Sequence, residues 1–259
     1  MLELKSIDKT FNIGTANENS LFKGFNLSVP KGEFVSIIGS NGSGKSTLLN
    51  IICGSLKEDA GDILIDGENL KKIPEHKRYV KMGRVFQDPK MGTSPKMTIL
   101  ENMSMAENKN KSWNLSLGIN KKKKETYREM LKGLGLGLED KLNEKVELLS
   151  GGQRQALALL MATLVPIDFL ILDEHTAALD PKTADTVMEI TNKIVKEKNL
   201  TALMVTHNLK YSLKYGDRLI MMHKGKKIMD KAGEEKKILD LDSILDKFYE
   251  ISIEAGNSI

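Results

Sequence analysis

The chain has 259 residues, 40% of them hydrophobic and 29% charged, the proportions of an ordinary globular protein. Its net charge of +4 is too weakly basic to argue for nucleic acid as a partner. A single cysteine, Cys53, excludes an internal disulfide, fits a reducing compartment and reads as a small buried apolar residue.

Leu2–Ile7 and Phe25–Val29 alternate like half-buried strands, and Pro30-Lys31-Gly32 reads as a turn after the second. The first residues, Met1 to Lys5, lack the apolar core of a signal peptide. Phe34–Ile38 is a short apolar run feeding into glycine-rich sequence and then a helix from about Lys45. Ile63–Ile65, Arg84–Phe86, Phe169–Leu172, Ala202–Val205 and Leu219–Met222 supply further strands, with helical patterns between several of them, notably Lys182–Lys198. This alternation predicts a mainly parallel sheet with helices packed on it.

From about Pro95 to Val165 the pattern is helical and shows no convincing strand, so this block reads as a helical insertion. It holds the polar stretch Asn108–Asn120 and the lysine run Lys121–Lys124, a solvated helix start or loop in preference to a contact for acidic headgroups. Gly133, Gly135 and Gly137 alternate with leucines, as at a helix end and turn. The most apolar window, Ala156–Leu172, is interrupted by Pro166 and Asp168 and reads as buried core instead of a membrane span, so any membrane role must come through a partner. After Asp230 the chain is charged and helical.

The chemistry is concentrated in a few motifs. Gly39-Ser40-Asn41-Gly42-Ser43-Gly44-Lys45-Ser46-Thr47 matches a phosphate-binding loop between an apolar strand and a helix. Glycines let successive N–H groups and the helix N-terminus face phosphates, Lys45 is placed to reach the β- and γ-phosphates, and the Ser46 hydroxyl to join a Mg²⁺ shell. Phe169–Glu174 reads as a buried strand delivering two carboxylates: Asp173 to hold Mg²⁺ through water and Glu174 to polarise the attacking water. His207, after a third core strand, is placed to contact the γ-phosphate or orient that water, although a lone histidine at a strand end is more often structural. Gln87, after Arg84-Val85-Phe86, offers an amide oxygen to Mg²⁺ or water, a role a glutamine alone would not justify. Leu149-Ser150-Gly151-Gly152-Gln153 is a second helix-opening turn able to hold an anion. A chain with one nucleotide site has no use for two cradles unless the second serves another molecule.

With these motifs in this order, the chain resembles the nucleotide-binding subunits of ATP-binding cassette (ABC) transporters over essentially its full length. The resemblance implies an α/β fold with a P-loop NTPase (RecA-like) core, an N-terminal antiparallel β subdomain and an inserted α-helical subdomain. It implies one ABC ATPase domain over 1–259: core in 1–94 and 166–230, helical subdomain with the signature turn in 95–165, and a short helical tail in 231–259. It further implies a head-to-tail dimer around two ATP molecules, in which Ser150, Gly151, Gly152 and Gln153 meet the γ-phosphate held by the opposite subunit. Asp180, in Ala178-Leu179-Asp180, would lie along the dimer seam, and Phe11 would stack on adenine, the alternative being an anchor for the first hairpin. ATP and Mg²⁺ are the implied cofactors. Two departures stand out: His175 replaces the proline or small residue usual after the glutamate, perturbing Glu174, the seam or neither. The helix after Gln153-Arg154-Gln155 also lacks an arginine often found on its next turn. Neither removes a residue the chemistry requires.

The expected function is ATP binding and hydrolysis for an importer, at the cytoplasmic face of the membrane. The partners would be a homodimeric or paired nucleotide-binding subunit, separate transmembrane permease subunits and an extracellular solute-binding protein. Lys90–Met97 together with Asp173-Glu174-His175 looks like importer ATPases for amino acids or related small solutes. DNA-repair and chromosome ATPases insert long coiled coils, whereas only 62 residues without sustained heptads separate Gln87 from Ser150. A soluble or complex-associated ATPase of iron–sulfur assembly, cell division or lipoprotein release would carry identical catalytic residues and is the alternative.

Overall fold

The computed structural model describes residues 1–109, 111, 119 and 121–254. In chain order the elements are β1 (Leu2–Phe11), β2 (Asn19–Val29), β3 (Phe34–Gly39), α1 (Lys45–Cys53), β4 (Ala60–Ile65), β5 (Glu68–Asn69) and α2 (Glu75–Arg78). There follow β6 (Met82–Val85), α3 (Ile99–Glu107), α4 (Lys124–Lys132), α5 (Gly151–Ala162), β7 (Phe169–Asp173) and α6 (Pro181–Glu197). The chain continues with β8 (Thr201–Val205), α7 (Leu209–Lys214), β9 (Arg218–His223), β10 (Lys226–Ala232), α8 (Glu234–Lys237) and α9 (Leu241–Glu254). They form two compact bodies, Met1–Arg78 with Leu200–Ile259, and Tyr79–Asn199.

In the first body, β2-β1-β4-β5 make an antiparallel sheet. The buried residues of β1, namely Leu2, Leu4 and Ile7, break strict alternation because the register shifts between Leu4 and Ile7, with Ser6 at φ 49°. That is the geometry of a β-bulge, which rotates the strand so that a third apolar side chain still faces inward. β3 is paired in parallel with β8 on one side and β9 on the other, and every residue from Phe34 to Gly39 is buried. A strand covered on both faces needs a continuous apolar run, the pattern seen in its sequence. Ile38, Leu219, Met221 and Ile244 form one buried cluster, so α9 packs on the strands that carry the glycine-rich loop.

β10, antiparallel to β9, runs through Ala232, past the point where a helical tail was expected. Its pattern is masked by four lysine or aspartate positions and by a register shift between Lys227 and Met229. Cys53 is fully buried, as its composition suggested.

The second body joins a parallel pair, β6 and β7, to the helical block. Met82 stands opposite Phe169 and Val85 opposite Leu172. α3 opens with a reciprocal capping box between Thr98 and Glu101. Buried Asn102 ties the preceding loop down, accepting from Ser94 N at 2.7 Å and donating to Ser94 O at 3.1 Å. α4 ends at Gly133, and Gly135 and Gly137 adopt left-handed φ of 67° and 68°, consistent with a helix end and turn. Of the polar stretch at 108–120, residues 110, 112–118 and 120 lie outside the described set, and Lys121–Lys123 form a short 3-10 turn before α4. Among the described residues no helix is long and apolar enough to cross a membrane.

Candidate nucleotide site

In the first body β3 ends at Gly39 and α1 starts at Lys45, so the glycine-rich loop occupies the short passage between them. Lys45 is buried, and its Nζ donates to Gly39 O at 2.7 Å and Ser40 O at 3.0 Å. The lysine therefore puts a positive charge inside its own loop, beside the α1 N-terminus, where an anion is favoured by charge and by exposed amides. Asn41, Gly42 and Ser46 are exposed, Ser40 and Thr47 half-buried, and Ser43 and Gly44 buried. A Cβ on Gly39 would lie 2.2 Å from Met222 O, so only glycine permits this approach of loop to β9.

The turn after β9 braces the loop in a way the sequence did not reveal. Gly225 N donates to Ser43 O at 3.0 Å, and His223 Nδ1 lies 3.2 Å from Ser40 Oγ. Phe11 is half-buried at the end of β1, with Lys9 Nζ 5.6 Å from its ring centre. The buried aromatic pair of this region is Phe22 with Phe25, 5.0 Å apart, so the hairpin is anchored by those two. His207 is exposed in the link from β8 to α7, followed by Asn208, whose side chain caps α7 by accepting from Tyr211 N at 3.1 Å.

In the second body β7 delivers half-buried Asp173 and then half-buried Glu174, whose backbone is left-handed at φ 48°. Arg84 on β6 donates to Asp173 Oδ2 at 2.6 Å, and its guanidinium lies 4.7 Å from the Phe86 ring centre. Gln87 is exposed, and the residue before it is pinned by Gln155 Nε2, which donates to Phe86 O at 2.9 Å. Ser150 is the exposed N-cap of α5: its Oγ accepts from Gln153 N at 3.3 Å while Gln153 Oε1 accepts from Ser150 N at 3.1 Å. Because the Ser150 oxygen serves as acceptor, its O–H is left to donate. Gln153 Nε2 also donates to Leu136 O at 3.0 Å, fixing the turn to the loop after α4.

Residues 22–177 match the ABC transporter family. The chain belongs to that family. It is 50% identical to the tyrosine transport ATP-binding protein of Clostridioides difficile over 248 residues, covering 96% of this chain and 98% of that one. It is 34% identical to the xylose/arabinose import ATP-binding protein of Sulfolobus acidocaldarius, covering 96% and 94%. Among solved structures, a dimeric ATP-binding cassette in a post-hydrolysis state with ADP and Pi matches with a TM-score of 0.75 and 32% identity, covering 90% of this chain and 98% of that one. The fold is that of a P-loop ABC ATPase, and the chain is an ATP-binding, ATP-hydrolysing subunit powering solute transport.

Two features of this ABC subunit are set by local structure. Asp180 is the exposed N-cap of α6, accepting from Thr183 N at 3.1 Å, and the Thr183 bonds hold its carboxyl below the usual range. His175, the departure from the family pattern, is buried, with Nε2 3.0 Å from Thr191 Oγ1 on α6. Its ring is thus part of the packing under α6. Arg84, Gln155 and His223 were not foreseen; their partners stand far away in sequence, and no short motif announces them.

Proposed function

We propose that this ABC subunit acts at the cytoplasmic face of a membrane as one half of a head-to-tail nucleotide-sandwich dimer, driving import of an amino acid through a separate permease supplied by a solute-binding protein. The observation that carries the dimer reading is the exposed, capped N-terminus of α5, where Ser150 keeps a hydroxyl proton to donate. It is a second phosphate-ready helix end besides the Lys45 loop.

In this reading the amides of Gly39–Thr47 and the Lys45 ammonium hold the β- and γ-phosphates, and Phe11 stacks on adenine. Ser150, Gly151, Gly152 and Gln153 of one copy face the γ-phosphate on the other, with Asp180 at the seam. Glu174 takes up the proton of the attacking water while His207 orients it. The oxygens of Ser46, Gln87 and Asp173 are the hard donors that suit Mg²⁺. Bound by them, Mg²⁺ would neutralise charge growing on the phosphate oxygens. Residues 95–165 form the helical subdomain and 231–259 the tail of this one ABC domain.

Mixing two inactive variants tests the composite site. Lys45→Ala and Ser150→Arg chains should regain hydrolysis when combined, because each heterodimer holds one intact pairing. No rescue at all would place each site within a single chain. Glu174→Gln should form an ATP-stabilised dimer without turnover, and a variant still monomeric in saturating ATP and Mg²⁺ would speak against the sandwich.

The amino-acid reading is supported by the 50% identity to a tyrosine transport protein over 96% of this chain. With permease and solute-binding protein in proteoliposomes, ATP turnover should rise with tyrosine and not with xylose. Stimulation by xylose alone would favour the sugar reading.

A further inference from the structure

Arg84 and Asp173 form an enclosed ion pair at 2.6 Å, their side chains 8% and 17% exposed. The pairing of β6 with β7 sets it: Arg84 stands opposite Ile171 and Val85 opposite Leu172, so Arg84 reaches the carboxylate at the end of β7. On its other side the guanidinium rests on the Phe86 ring, 4.7 Å away, and Phe86 is itself held through its carbonyl by Gln155. An exposed pair would rearrange freely; a sheltered one keeps its geometry, because leaving either charge alone in such surroundings is costly.

The carboxylate read above as a metal ligand thus already has a cation on one oxygen. A second cation must share it. A guanidinium and a divalent ion about 5 Å apart, at an effective dielectric of about 20, repel strongly enough to weaken binding by roughly 10⁵-fold before side chains relax and solvent screens the charges. The extra negative charge needed to offset that repulsion can come from nucleotide phosphates. We propose that Arg84 is a positioning residue that fixes Asp173 and holds its metal affinity down, so that the divalent ion is retained only together with nucleotide. This rests on Asp173 being a metal ligand.

The test measures Mn²⁺ binding to the full chain by electron paramagnetic resonance, with and without ADP, so that no turnover intervenes. Arg84→Met should bind Mn²⁺ at least about fivefold more tightly than the parent, and the gain should be larger without ADP. Arg84→Lys, which keeps the charge, should stay near the parent value. Thermal melting checks folding, and if Arg84→Met does not fold, Arg84→Gln makes the same comparison. Unchanged or weaker binding in the neutral variant, with binding lost in Asp173→Asn, would overturn the role of Arg84 alone. Unchanged binding in Asp173→Asn would remove Asp173 as a ligand, and the proposal with it.

Discussion

His175 Nε2 and Thr191 Oγ1 lie 3.0 Å apart in the packing beneath α6, and the Thr191 hydroxyl also reaches Val187 O at 2.8 Å. A hydroxyl has one proton. Given to the Val187 carbonyl, it leaves the Thr191 oxygen as acceptor, so the hydrogen on the imidazole sits on Nε2. The histidine is therefore the neutral Nε2–H tautomer, in keeping with burial that lowers its pKa from 6.5 to about 4.

This histidine makes stability depend on acid. Since its folded pKa lies below the unfolded value, the unfolded chain takes up the proton first as pH falls. Its contribution is whole above about pH 6.5 and declines towards pH 4, by at most about 3 kcal/mol. His175→Gln keeps a donor for Thr191 and removes the titration, so urea midpoints between pH 7 and pH 4.5 should fall less steeply than in the parent. Equal slopes would show that another group controls acid sensitivity.

Gly152 and Thr183 should behave as a coupled pair. A Cβ on Gly152 would lie 2.1 Å from Thr183 Cγ2. Gly152→Ala should cost about 2 kcal/mol through overpacking, read as a lower thermal midpoint. Thr183→Ser, which lacks that methyl, should recover most of the loss in the double variant. Additive losses would mean that the helices separate some other way.

Arg78 should be irreplaceable even by lysine. It is 7% exposed and donates to the carbonyls of Ile51, Ile52, Leu70 and Ile73 at 3.0, 3.2, 2.9 and 2.9 Å, closing the C-terminal end of α1. A lysine ammonium cannot span those directions, so Arg78→Lys should destabilise the chain by about 2–4 kcal/mol in urea titration. A parent-like midpoint would show that the four bonds contribute little.

His223 should affect nucleotide affinity more than stability. Its Nδ1 lies 3.2 Å from Ser40 Oγ within the phosphate loop. Removing one hydrogen bond that orders a binding loop corresponds to an affinity loss of about threefold to tenfold. His223→Ala should weaken a fluorescent ATP analogue by that factor with little change in melting temperature, and His223→Asn should restore part of it. No change in affinity would confine His223 to its place at the end of β9.

The parts of this molecule legible in sequence are those whose cause is local. β3 announces itself because both of its faces are covered, and the loop after it because its glycines are required by backbone contacts such as Gly39 against Met222 O. The Ser150–Gln153 capping box is also spelled out, as a serine followed three residues on by glutamine. β10 escaped because a register shift and solvent-facing lysines erase its periodicity. Arg84 with Asp173 and His223 with Ser40 are separated by 89 and 183 positions, and only strand order brings them together.

The left-handed backbone at Glu174 limits what mutagenesis there can mean. At φ 48° a β-branched side chain is strongly disfavoured, whereas asparagine, aspartate and glycine are tolerated better than most. Replacing the glutamate by valine or threonine would therefore alter the course of the chain between β7 and α6 as well as delete a carboxylate. Glutamine leaves the Cβ and Cγ atoms in place and keeps the conformational cost the same. A difference in rate between Glu174→Gln and the parent can thus be assigned to the charge, and a further difference between Glu174→Gln and Glu174→Val to the bend that carries it.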